Sequence, residues 1–434
     1  MWYNVSGMLD TLKNSWKIPD LKKKILVTIG MLLIFRLGSR LPVPGLDPSV
    51  FANLIGSGGQ LFSFLDVITG GAFANATIFA MSITPYVNSS IIMQLLTIAI
   101  PKLEQMSKEG EEGRKKIGQW IRYTTVILAF LQAIAITVGL RSSLVSGLNV
   151  MTFITVTLTL TAGTAFLMWL GEQITEYGIG NGISMLIFAG IVSSGPRGAL
   201  YLIKNYQLGN LGTGILGILA IILILAVFVA IIACVVWVNQ AERRIPVQYA
   251  KRVVGRKVYG GQSTHLPIKV NWAGVIPIIF AMSIMMLPST VVGFVAPNSN
   301  SGFAGFMKNW QSHWSYALIY AVMIVAFTFF YTYVQFNPIE LANNMKKNGG
   351  FIPGIRPGKP TSDYIAKVLN RITWFGALFL AAISIFPYVI VAITKVQGVW
   401  FAGTSVLILV GVALDTVRQI ESQMLTRHYK GFLE

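Results

Sequence analysis

The sequence is poor in charge. Only 12% of its 434 residues are charged and 54% are apolar, whereas a soluble globular domain carries about 25% charged residues. With a mean hydropathy of +0.65, the deficit excludes an ordinary soluble fold and predicts a polytopic membrane protein with small polar loops. Cysteine is nearly missing as well: Cys234 stands alone, so no internal disulfide can form. The histidines, His265, His313 and His428, lie far apart, and no His-Glu-x-x-His or Cys/His cluster predicts a metal. Carboxylates are scarce in the apolar runs. Asp415 and Glu172 fall at run ends and Asp66 in a short segment between runs. That argues against an ion-coupled solute carrier with inverted repeats, the second reading of a ten-span chain, and more strongly against intramembrane catalysis. The chain is expected to be no enzyme and to need no cofactor.

What is present is a series of apolar segments. Ten are long enough to cross a bilayer, near 22–42, 76–100, 117–139, 151–171, 183–201, 214–238, 272–295, 314–336, 371–394 and 400–419. The first apolar run, 25–35, ends at Arg36 without a small-residue cleavage site, so it is expected to be retained as a span. Lysine and arginine sort sharply between the connections. Of the 34 basic residues, 27 fall in the N-terminal arm, the loop after span 2 and the start of span 3, residues 239–271, residues 337–371 and the tail. By the positive-inside rule both termini and the large loops are cytoplasmic. The net charge of +18 is therefore mostly orientation, although such a face also attracts anionic lipids and acidic partners rather than a specific nucleic-acid sequence.

Several stretches break the pattern. Leu61, Phe62, Phe64, Leu65, Val67 and Ile68 predict a short apolar helix that Gly70-Gly71 ends. Ten helical residues reach about 15 Å, half the hydrocarbon thickness, so it cannot span. It is either a helix on the outer surface or a re-entrant half-helix enclosed by protein. "SITPYVNSS" (82–90) puts Pro85, Asn88, Ser89 and Ser90 into span 2, where Pro85 is expected to cost a helix hydrogen bond. The polar residues serve either helix packing or a movable interface. "EYGIGNGIS" (176–184) has the look of a dinucleotide loop, but membrane helices flank it where a strand is required, and flexible backbone at the start of span 5 is expected instead. Alternation within 242–271 predicts a projecting hairpin. "GFIPGIRPGK" (350–359) ends like a Walker loop. The first glycine of that motif would be Pro353 and its hydroxyl residue Pro360, so both defining positions fail. Arg356, set between Gly354-Ile355 and Pro357-Gly358, reads instead as a side chain shown from a constrained tip.

"ITPYVNSSIIMQLL", "GIGNGIS", "YAKRVVGRKVYGGQSTHLPIKVNWAGVIP" and "GFIPGIRPGKPT" resemble the signature stretches of the SecY family, the pore subunits of the bacterial protein-translocation channel. The overall pattern is Bacillus-like. The resemblance implies an all-α polytopic membrane protein of ten transmembrane helices in two pseudo-symmetric five-helix halves, residues 1–201 and 202–434. It also implies a re-entrant plug at about 60–71, a lateral gate of spans 2 and 3 against spans 7 and 8, and a plasma-membrane location. Carried onto matching positions, the pore ring is Ile83, Val87, Ile183, Ile187, Ile279 and Ile408, with Val87 replacing a common isoleucine. Gate residues are Asn88, Ser89 and Gln132. Docking of a motor or ribosome maps to Arg243, Arg244, Lys251, Arg252, Arg256, Lys257, Arg356 and Tyr429, although for most of the lysines solvated orientation signals are an equal reading. The implied partners are SecE, SecG, the SecA ATPase, the ribosome, signal sequences and secretory polypeptides.

Overall fold

The computed structural model describes residues 18–49, 69–139, 149–207, 215–249, 263–295, 313–394 and 403–430. It also describes 252–254 and 257–259 and the single residues 16, 66, 302, 306 and 310. Among these, ten helices lie on the ten predicted segments. They are α1 (Pro19–Gly38), α2 (Thr84–Ala99), α4 (Glu111–Gly139), α5 (Val150–Tyr177), α6 (Gly182–Gln207), α7 (Ile215–Gln240), α8 (Ile276–Val295), α9 (Trp314–Gln335), α11 (Lys359–Thr394) and α12 (Thr404–Lys430). Two short helices, α3 (Pro101–Lys108) and α10 (Pro338–Lys347), intervene. Among the described residues six helices (α4, α5, α6, α7, α9 and α11) are by themselves long and apolar enough to cross a bilayer. Helix α1 carries charges towards both ends, and α2 has only 16 residues.

Helix α2 begins at Thr84 rather than near 76, because Pro85 falls in its first turn. A proline there forfeits only an N–H that no helix bond would use, so it starts the helix instead of costing it a bond. The preceding stretch, 69–83, is a chain of turns. Gly70, Gly71, Ala76 and Ser82 all have positive φ, at 66, 88, 45 and 53°. For Ala76 and Ser82 that conformation is costly and persists only where the surroundings enforce it. They do: Val43 N–H donates to the Ala76 carbonyl at 2.9 Å and Ile78 N–H to the Leu41 carbonyl at 3.0 Å. The Phe79 ring stacks between Phe35 of α1 and Phe166 of α5 at 6.1 and 6.0 Å. Non-helical backbone is thus buried in protein with its polar groups paired, the condition for tolerating it within a membrane domain.

The expected loops are folded. Strand β1 (Glu242–Tyr249) pairs antiparallel with β4 (Ser263–Lys269), and β2 (Arg252–Val254) pairs with β3 (Lys257–Tyr259) between them. A third strand, β5 (Gly350–Phe351), joins the other edge of β1 from the second loop. Ile245, Val247 and Ile268 on the sheet pack with Phe336, Met345, Ile352, Ile365 and Leu369 as a core of their own. Most of 337–371 is α10, β5 and the first turns of α11, whose 36 residues make a rod of about 54 Å.

Within the helical domain one buried cluster draws only on residues from 228 onwards, around Ile278, Tyr320, Ile324, Leu380 and Leu407. Another draws only on residues up to 160, around Val43, Ala76, Ala129 and Leu160. Three further clusters bridge these parts of the chain: one joins Leu21, Ile179 and Ile420, and the other two belong to the candidate site.

Candidate functional site: a buried aliphatic cluster and an apolar seam

Helices α2, α5, α6 and α12 converge on one of the bridging clusters. Ile83, Ile187 and Ile408 are buried there at 2, 7 and 2% exposure, and Val87 and Ile183 pack against them. Five of the six expected ring residues therefore meet, although they come from distant parts of the sequence. Ile279 is half-buried on α8, and the residue from that region packed on the cluster is Val275, one helical turn earlier. The residues of the cluster are mostly branched or long aliphatics, with two alanines and a few aromatics.

Glycines let these helices close in. A methyl on Gly182 would stand 1.9 Å from the Gly171 carbonyl oxygen, and one on Gly171 would stand 2.5 Å from Ile183 Cδ1. The glycine motif at 176–184 is therefore a pinned reversal rather than flexible backbone. Ile179 N–H donates to Thr28 Oγ1 at 3.0 Å, and Gly182 N–H donates to Thr175 Oγ1 at 2.9 Å. Only at Gly180, with φ +85°, does the turn itself require glycine.

The second bridging cluster is a seam. Val87, Ile91 and Leu95 of α2 face Ala273, Ile276 and Phe280 at α8, with Phe327 and Tyr331 of α9 behind. The Phe280 ring meets Phe327 and Tyr331 edge-on at 5.8 and 6.0 Å. The buried Asn88 Oδ1 has no hydrogen-bond partner among the described residues. Ser89 instead joins α2 to α4, donating to the Ile121 carbonyl at 2.9 Å and sharing a hydrogen bond with Thr124 Oγ1. Gln132 is half-buried on α4. On the loop-bearing face Arg122 of α4 pairs with Glu172 of α5 at 2.7 Å. Nearby, Lys108 donates to Glu104 at 2.6 Å, which raises its pKa, and Glu340 of α10 adds to the rise.

Of the docking residues, Arg243 and Arg244 are exposed on β1, Arg244 paired to Glu242 at 2.6 Å. Arg252 and Lys257 lie in the β2–β3 ribbon and Tyr429 in the last turn of α12, while Lys251 and Arg256 lie outside the described residues. Arg356 is exposed at a tip that Gly354 and Gly358 shape with φ of 83 and 103°. Buried Ile352 anchors one side of the tip, and Thr361 Oγ1 donates to the Arg356 carbonyl at 2.8 Å on the other. The expected plug residues Leu61, Phe62, Phe64, Leu65, Val67 and Ile68 lie outside the described residues. Asp66 is described: it is 1% exposed, and its Oδ1 accepts from Ala74 N–H at 2.8 Å. Arg36 is a site residue that sequence reasoning passed over. Its Nη1 donates to the Gly70 carbonyl at 3.2 Å and to Ser193 Oγ at 2.8 Å.

This helical domain, with its buried aliphatic cluster, has the fold of known protein-conducting channels. A solved protein-conducting channel superimposes with a TM-score of 0.66 over 93% of both chains at 20% identity. Sec61 from a canine ribosome–channel complex does so with 0.62 over 93% of both chains at 20% identity. In sequence, a family model described as SecY matches residues 77–417. The SecY protein translocase subunit of Halalkalibacterium halodurans is 46% identical over 434 residues, covering 98% of this chain and 100% of the relative. That of Thermotoga maritima is 44% identical over 438 residues, covering 98% of each. The chain belongs to the SecY family.

Proposed function

We propose that this chain is the central protein-conducting channel of a Sec translocon. It passes unfolded secretory polypeptides across the plasma membrane and releases membrane segments sideways into lipid. The observation that carries the reading is the meeting of Ile83, Val87, Ile183, Ile187 and Ile408 in one cluster, with Ile279 completing the ring from α8. Branched aliphatics offer no fixed charge or hydrogen bond, so water bridges the constriction poorly and ions are held back by dewetting. The same side chains yield around any passing residue without binding it. The α2–α8–α9 seam supports the lateral gate: its contacts are apolar, and an entering apolar segment or lipid replaces them in kind. Among the described residues Asn88 Oδ1 has no hydrogen bond to lose.

Residues 1–201 and 202–434 act as the two halves, and the separate buried clusters on either side of the seam support the division. The stretch at about 60–71 is the plug. The sheet and the Arg356 tip face the cytoplasm, as do both termini, and receive the ribosome or the SecA ATPase. SecE and SecG complete the complex, and the basic face rests on anionic lipid. The translocase relatives leave the ion-coupled solute carrier without support. The decisive test is site-specific crosslinking from Ile83 or Val87 to a stalled secretory chain. Adducts at both positions are expected, and their absence would sink the reading.

A further inference from the structure

Three elements meet at Arg36. The guanidinium leaves α1 in its last turn and donates through Nη1 to the Gly70 carbonyl and to Ser193 Oγ of α6. Ser193 Oγ in turn donates to the Gly190 carbonyl at 2.7 Å. The fit is close: a methyl on Gly70 would lie 2.5 Å from Ser193 Oγ, 2.7 Å from Arg36 Nη1 and 3.2 Å from Gly190 Cα. Gly70 and Gly71 both have positive φ, at 66 and 88°. Beyond them the chain is held, with Ala72, Ala76 and Thr77 fully buried. Asp66 is tied to the same segment, its carbonyl accepting from Gly71 N–H at 2.8 Å and its Oδ1 from Ala74 N–H at 2.8 Å.

A cation inside a membrane domain is costly unless bonded, and charge-assisted hydrogen bonds are the strong ones. The bond to the Gly70 carbonyl needs Gly70 seated against α6, where Ser193 holds the same guanidinium nitrogen, so the guanidinium stabilises that arrangement over any in which the segment has lifted away. A group that interacts with one of two states shifts the equilibrium towards it by that difference.

We propose that Arg36 is a positioning residue that latches the base of the plug to α6 through Gly70 and Ser193, holding the channel closed at rest. The inference rests on the plug reading given above. The test measures resting ion efflux from proteoliposomes holding the full-length chain in complex with its membrane partner subunits. Four preparations are compared with wild type: Arg36→Met, Ser193→Ala, deletion of 61–69, and Arg36→Met combined with the deletion. Arg36→Met is expected to raise the leak about tenfold to hundredfold, the factor corresponding to one charge-assisted hydrogen bond. Ser193→Ala is expected to raise it less. In the deletion background Arg36→Met adds nothing, because no plug remains to be held, whereas a generally loosened helix bundle would add its own leak. A leaking deletion beside a sealed Arg36→Met, or leaks that add, overturns the latch and leaves the plug standing. A sealed deletion removes both. Should Arg36→Met fail to assemble, Ser193→Ala carries the same comparison, and a wild-type seal in it overturns the latch.

Discussion

Gly350 lies directly opposite Tyr249 in the antiparallel pairing of β5 with β1. A methyl built on Gly350 would stand 2.9 Å from Cε1 of the tyrosine ring. The strand leading into the Arg356 tip is thus the third strand of the sheet made by the other loop, and the two loops share one sheet and one small core. Gly350→Val is expected to push β5 off β1. Limited proteolysis should then cut near 350–358 in the variant and not in wild type, while the helices stay protected.

Arg356→Glu tests the tip itself. The side chain is exposed, so the change should leave the melting temperature within a degree or two while lowering motor-driven or co-translational transport at least tenfold. Transport at the wild-type rate with the same partners would show that the tip is not a docking point.

Gly182→Ala probes the approach of α5 and α6. The added methyl meets the Gly171 carbonyl oxygen at 1.9 Å, a contact with backbone that no side-chain rotation relieves. Overpacking of this kind costs about 1–3 kcal/mol. A lowered melting temperature in detergent is expected, and an unchanged one would mean the helices part without penalty.

Phe280→Ala weakens the seam. Removing a buried phenylalanine costs about 3–5 kcal/mol, here lost from the arrangement in which the ring meets Phe327 and Tyr331. Test segments of lower hydrophobicity should then be integrated into the membrane. The measurement is the integrated fraction across a graded series of segments, and an unmoved threshold would detach Phe280 from gating.

Much of this was legible in one dimension. Hydropathy located the helices because a bilayer demands long apolar runs, and alternation located β1 and β4 because a half-buried strand repeats every second residue. Counting from Gly358-Lys359 was enough to discard a phosphate site. Other features left no such signal. Pro85 inside an apolar run reads as a break, and only the helix start at Thr84 makes it harmless. The glycines of 176–184 read as mobility, whereas close packing and two threonine hydroxyls pin them. β5 is two residues long, too short for any periodicity.

The sequence by itself determined the class of protein, the location of its helices and the sharp sorting of basic residues, since each depends on composition within a contiguous stretch. The tertiary structure alone decided that Ile83, Ile187 and Ile408 share one cluster, that Gly350 joins the two loops and that Arg36 grips Gly70 against Ser193. Those relations join residues up to several hundred positions apart. Packing in three dimensions brings them together, and no local pattern records it.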